Sequence, residues 1–207
     1  MPHPLTRRDL ALLMPALATR PAVAELPTPA PYRWRILREG SEIGSHVVTF
    51  TRRGEDVVAH SDLSVTPRVL GVVVYRYEHR YREVTRGGRF VSVESWHNRN
   101  GRIVEARAQA QPDAVLLEGP GGSQRLPADA APMSWWEGGR FGRVPLFGTT
   151  EPRLLNLRMR REPRPGGGLI LQLAGDVEAR VEYDALGRWV GYAVRGDDGS
   201  LVTYAPA

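Results

Sequence analysis

Imidazoles and carboxylates are the groups in this sequence best suited to chemistry. Beyond residue 24 there are four histidines: His46, His60, His79 and His97. His46 shares its side-chain parity with Val48 and Phe50, and His79 shares its parity with Tyr77 and Tyr81. Both imidazoles are therefore expected on an inward face, in neighbouring strands, where such a pair could ligate a metal or shuttle a proton. The structural alternative is a buried histidine bonded to a tyrosine hydroxyl or a backbone carbonyl. His60 and His97 have no HxH or HxxxH spacing and are expected at the surface. Glu83 has the parity of Tyr77 and His79, which is unusual for a charged group. It is expected either to work with Glu94 across the Gly87-Gly88 hairpin as an acid–base pair, or to form an ion pair with an arginine. His46, His79 and Glu83 are thus the candidates for catalysis.

Other chemistries lack their residues. Cysteine is absent, which removes disulfides, thiolate metal sites and cysteine nucleophiles. No GxSxG elbow is present for a serine nucleophile. Gly121-Gly122 and Gly166-Gly167-Gly168 lack the lysine and helix start of a phosphate loop, and read as turns. No cofactor and no metal site are expected. The apolar counterpart to the histidines is Ser134-Trp135-Trp136. Two adjacent indoles cannot both point inward on one short helix, so one is expected to close a barrel end while the other lines a mouth or a partner surface. Tyr75, Tyr77, Trp135 and Trp136 form the expected set for holding a hydrophobic ligand.

The elements that must position these residues are strands. From Tyr32 onward, short runs rich in Val, Tyr, Thr and Arg are broken by glycine-containing turns. Period-two alternation predicts strands over 32–39, 45–53, 57–66, 69–85, 89–98, 102–110, 114–118, 153–160, 169–174, 176–184, 188–195 and 200–204. Asn100-Gly101 is the strongest hairpin signal. The stretch 128–136 follows Pro127 and lacks alternation, and is expected to be one short helix or helical turn. Residues 138–152 read as loop. The expected fold is all-β: one mainly antiparallel domain over 32–207, a curved sheet or open barrel of about ten strands, with one short helical segment.

The N-terminus reads differently. Thr6-Arg7-Arg8-Asp9-Leu10 precedes an apolar run to Ala18, and Ala22-Val23-Ala24 stands before Glu25. This order of charged, apolar and small residues is that of an export signal, with Ala22 and Ala24 at the positions a signal peptidase reads. The pair Arg7-Arg8 resembles the twin-arginine class. Residues 1–24 are therefore expected to be a signal peptide and 25–31 a proline-rich linker, with the mature protein periplasmic or secreted. The apolar run is shorter than the roughly 20 residues a bilayer span needs, and no later stretch is long enough. Formal charge is +5 with every basic side chain an arginine. The arginines are dispersed among acidic residues, so no nucleic-acid face is indicated.

The stretch Ile43-Gly44-Ser45-His46 with Phe50, then Gly71 to His79, Glu83, Gly88-Arg89-Phe90 and Asn100-Gly101, resembles the DUF6134 family of small exported proteobacterial proteins. Pro132-Met133-Ser134-Trp135 and the hairpin at Tyr183-Asp184 also fit. The resemblance implies an exported domain but no biochemical activity. Three expectations follow: a non-enzymatic envelope protein holding a lipid-like or other hydrophobic ligand, or a partner peptide, in a concave β face; an enzyme using the inward His/Glu cluster; or a structural partner of another envelope protein.

Overall fold

The structure is a computed structural model and describes residues 28–207 apart from Gly71 and Asp197. The expected export signal, with Arg7, Arg8, Ala22, Ala24 and Glu25, lies outside the described residues, as do residues 25–27 of the expected linker.

Strands β1 (Tyr32–Arg38), β2 (Ser41–Arg53) and β3 (Asp56–Val65) open the domain. A small hairpin, β4 (Arg68–Val69) and β5 (Val72–Val73), precedes β6 (Tyr77–Arg86), β7 (Arg89–Arg99), β8 (Arg102–Ala110), β9 (Val115–Gly119) and β10 (Gly122–Leu126). A crossover over residues 127–156 carries β11 (Ala131–Pro132), a 3-10 turn at Gly138–Arg140 and β12 (Leu146–Phe147). The chain then adds β13 (Leu157–Pro163), β14 (Leu169–Gly175), β15 (Ala179–Tyr183), β16 (Trp189–Arg195) and β17 (Leu201–Pro206).

Thirteen of these strands form one sheet, in the order β10-β9-β8-β7-β6-β3-β2-β1-β17-β16-β15-β14-β13, and every pairing in it is antiparallel. The chain starts mid-sheet at β1, winds out to the edge β10, crosses to the opposite edge β13 and winds back until β17 closes on β1. Sheets this wide curl, because each strand is rotated against its neighbour. The crossover lies inside the curl. Its Ala130, Trp136, Phe141, Leu146 and Phe147 join Val48, Val93, Leu117, Leu171, Val181 and Trp189 in the buried core. Polar contacts fix it to both halves of the sheet: Ser95 Oγ donates to Thr149 O at 2.9 Å, Gln124 Nε2 to Pro152 O at 2.9 Å and Tyr183 Oη to Trp135 O at 2.8 Å. Among the described residues no helix is long and apolar enough to cross a membrane.

The all-β antiparallel architecture is as the alternation predicts. On β15, Ala179, Val181 and Tyr183 are buried while Arg180 and Glu182 lie partly open to solvent. The Asn100-Gly101 turn has φ of 51° and 89°, the positive pair that a tight hairpin demands.

Three local expectations are corrected. The segment 128–136 contains no helix: Ala131–Pro132 pairs in parallel with Leu146–Phe147, and the helical turn falls later, at Gly138–Arg140. Pro132 lacks the N–H a helix interior needs, and a chain crossing between two sheet edges must stay extended. The run 69–85 is not one strand. It breaks at Leu70, whose φ is 48°, and the chain leaves the main sheet for the β4–β5 hairpin, so Tyr75 stands between strands. Finally, β10 has no side-chain signal in Gly-Ser-Gln-Arg-Leu; it forms because the edge of β9 offers it a ladder. Of the thirteen strands in the main sheet, β10 is the one that no predicted range covers.

Candidate functional site

Cross-strand register builds the site. On the inner face, His46 of β2, Leu63 of β3, His79 of β6 and His97 of β7 stand opposite one another in a row. The next row is Val48, Ser61, Tyr81 and Ser95, and the third is Phe50, Ala59, Glu83 and Val93. His46 and His79 are therefore not on neighbouring strands as expected. Leu63 separates them by two strand spacings, roughly 10 Å, too far to share a metal ion. Among the described residues no cluster of three His, Cys, Asp or Glu is placed to hold one.

Each candidate has a partner of its own. His46 Nε2 is 2.9 Å from Ser61 Oγ, and His79 Nε2 is 3.2 Å from Thr149 Oγ1. Ser134 Oγ donates to Glu83 Oε2 at 2.5 Å, and Arg140 Nη1 stands 2.6 Å from Glu83 Oε1. The latter contact is an ion pair without hydrogen-bond alignment, since Glu83 Oε1 and Arg140 Nη2 have no hydrogen-bond partner. Glu83 thus takes the ion-pair alternative, with an arginine of the crossover. Glu94 lies on the opposite, exposed face across from Arg82, so Glu83 and Glu94 do not pair. His60 is exposed. His97, expected at the surface, is buried, packed on Tyr77 with ring centroids 4.7 Å apart. Its parity with His79's cross-strand position decides this.

Burial dominates the electrostatics. It holds His46 well below the usual imidazole range, at about 3. His79 is also lowered to about 3, by burial first and then by His97 and His46. Burial also pushes Tyr77 up to about 12 and raises Tyr192 and Tyr204. The physical cause is the same throughout: a poorly hydrated interior penalises the charged form.

Between the crossover and the concave sheet lies a cavity of about 310 Å³. Ile36, Leu63, Val65 and Val202 supply aliphatic walls, and Tyr77, Trp135, Tyr192 and Tyr204 aromatic ones, with His46 and His79 among them. Two charged side chains border it, Glu151 and Asp176, both exposed at the rim. Val65, Tyr77 and Val202 also line an outer cleft of about 590 Å³ that takes in Tyr75, Val74 and Pro67 of the β4–β5 hairpin. The indole pair divides: Trp135 lines the cavity, whereas Trp136 is a core side chain stacked on Tyr81 at 5.3 Å. Of the ligand-binding candidates the structure brings Tyr77 and Trp135 to the cavity and Tyr75 to the adjoining outer cleft, and leaves Trp136 behind.

Sequence reasoning missed Ser61, Arg140, Thr149, Tyr192 and Tyr204. Ser61 carries inward parity between Ala59 and Leu63, which could have revealed it. Tyr192 and Tyr204 lie in predicted strands, but nothing local says that β16 and β17 close against β1. Arg140 and Thr149 sit in the crossover, which has no period to read.

Among proteins of curated function none matches this sequence. A solved structure, a beta-barrel-like protein of the domain of unknown function DUF1849 from Brucella abortus, is similar in fold, with a TM-score of 0.56 at 8% identity over 86% of this chain and 95% of that one. The profile described as Domain of unknown function (DUF6134) matches residues 34–207, from Trp34 of β1 to the last residue, and the chain belongs to that family.

Proposed function

We propose that the concave interior is a binding site for a small hydrophobic or lipid-like ligand, in a protein exported to the periplasm. The observation that carries this is the cavity of about 310 Å³ between crossover and sheet. Its volume is at the lower end of ligand pockets, and its mainly apolar wall with a few convergent polar groups is their usual composition. The outer cleft at Tyr75 shares Val65, Tyr77 and Val202 with that wall. Export rests on the order of residues 1–24, read from the sequence. An enzymatic use of His46, His79 and Glu83 lacks support, because each is engaged separately and Glu83 does not line the cavity. The partner-protein reading has one observation in its favour: Leu70, Val72 and Val74 of the β4–β5 hairpin are mostly exposed.

Titration with N-phenyl-1-naphthylamine, an apolar fluorophore, tests the cavity reading. Leu63→Trp would fill the space while keeping an apolar wall. Saturable fluorescence enhancement with the natural chain, lost in L63W with an unchanged far-ultraviolet spectrum, is the expected result. No enhancement, or equal enhancement in L63W, overturns the reading.

A further inference from the structure

Exposed apolar side chains gather at one end of the sheet. Among the described residues seven large ones stand open to solvent. Five of them, Leu70, Val72, Val74, Ile103 and Leu201, lie where β3 runs into β6, β7 into β8 and β16 into β17. Leu186 stands at the opposite end, in the β15–β16 turn. Main-chain bonds hold the projection in place. Val69 pairs with Val72, and Val74 N donates to Pro67 O at 3.1 Å. Arg76 N donates to Asn100 Oδ1 at 2.8 Å, and Asn100 N donates to Arg76 O at 2.9 Å. The β4–β5 tip is thereby fixed beside the start of β8, which carries Ile103.

Leu70 is the sharpest case. It is fully exposed and takes a φ of 48°, a left-handed conformation that glycine or asparagine adopts at little cost and leucine does not. Its exposure and its backbone both count against it in water. Packing does not call for a leucine there, and the turn disfavours one; an apolar phase around the tip would favour it.

Positive charge surrounds the tip. Arg68, Arg76, Arg99 and Arg102 are exposed in the same two connections, and the guanidinium groups of Arg76 and Arg102 have no acidic partner among the described residues. The acidic groups of the adjoining turns are engaged, Glu42 with Arg35, Asp198 with Arg38 and Glu39 with Leu201 N. An apolar point ringed by arginines matches a bilayer of anionic lipid, whose acyl boundary takes the aliphatic side chains and whose phosphates take the guanidinium groups. A stable protein interface needs a continuous face of roughly 800 Å², which separate projecting tips do not offer.

We propose that this end of the protein docks on an anionic phospholipid surface, with Leu70, Val72 and Val74 inserted and Arg76 and Arg102 on the phosphates. In that pose the outer cleft lined by Val74 and Tyr75 lies beside the bilayer. Docking of this kind is independent of whether the cavity holds a ligand.

Because the chain has no cysteine, Val72→Cys takes a single environment-sensitive nitrobenzoxadiazole label, and Leu186→Cys takes it at the opposite end. The chain from Glu25 onward is used, which keeps every described strand and the described core and leaves out the apolar run of the N-terminus. Vesicles are phosphatidylcholine alone or an equal mixture with phosphatidylglycerol, in about 0.1 M salt. The label at Val72 is expected to brighten and shift to the blue with the anionic vesicles, and the label at Leu186 to stay unchanged. Leu70→Asn suits the turn, so it should keep or raise the melting temperature while weakening vesicle binding about tenfold. R76Q/R102Q should weaken it at least about tenfold. No shift at Val72, equal shifts at both labels, equal binding to the two kinds of vesicle, or an L70N chain that binds as the natural one does overturns the proposal. A blue shift at Val72 that grows with protein concentration without vesicles assigns the tip to a second copy of this chain, and overturns it as well.

Discussion

Acidification from pH 7.5 to pH 5 should unfold this protein's margin of stability through His46 and His79. In the folded chain both titrate at about 3, while an unfolded imidazole titrates near 6.5. The folded value is the lower one, so as pH falls below about 6.5 the unfolded chain binds protons that the folded chain refuses. Stability is therefore complete above about pH 7.5 and is lost progressively down to about pH 3. At pH 5 each histidine withdraws about 2 kcal/mol, so the pair withdraws about 4 kcal/mol, a large part of the 5–15 kcal/mol that domains possess. His97, lowered by burial and by Arg99, acts in the same sense. Glu137, raised by burial, acts in the opposite sense. The carboxylates lowered by arginine or serine partners, half-buried Asp56 and exposed Asp198 among them, lose their contribution only below the ordinary carboxylate range. Urea unfolding followed by tryptophan fluorescence, at half-unit steps of pH, measures the effect. The slope near pH 5 should correspond to about two protons taken up on unfolding, and His79→Gln should remove about one of them. A stability that changes by less than about 1 kcal/mol between pH 7.5 and 5 would refute the argument that these rings are buried and neutral.

Three further outcomes follow from the same packing. Removing one member of the buried Glu83–Arg140 pair, as in R140M or E83L, should cost about 3–5 kcal/mol, and the double variant should be less destabilised than either single one, because no lone charge then remains; chemical denaturation of all four chains gives the cycle. Gly44→Ala should destabilise by about 1–3 kcal/mol or more in the same assay, since the added Cβ would stand 2.0 Å from Ser64 O and 2.8 Å from the Val65 Cα, both main-chain atoms. Glu137→Gln should raise the melting temperature at pH 7 and lose that advantage near pH 4. Burial holds the Glu137 carboxyl above its ordinary value, so its ionised form weighs against the fold at neutral pH and not in acid.

The rhythm of two along the chain was enough to read many of the residues that face inward, though His97, expected at the surface, is buried. Val177, Ala179, Val181 and Tyr183 against Glu178, Arg180 and Glu182 is one example, and the inward His46, His79 and Glu83 is another. A side chain's face is a local property, fixed by the pleat once the strand exists. The turns were equally legible where the residue itself demands the geometry, as at Asn100-Gly101, whereas Glu39, read as the end of a strand, takes a φ of 46° in the turn with Gly40.

Which inward residues meet is not a local property. Parity alone placed His46 beside His79, but strand order put Leu63 between them and set His97 opposite His79. The crossover gave no period to read, yet it supplies Ser134 and Arg140 to Glu83 and Thr149 to His79, and with Trp135 it roofs the cavity. Sequence settles the face each side chain takes, because that depends on its immediate neighbours in the strand. Only the closing of β17 on β1 and the path of residues 127–156 decide the company each side chain keeps, because those contacts join segments far apart in the chain.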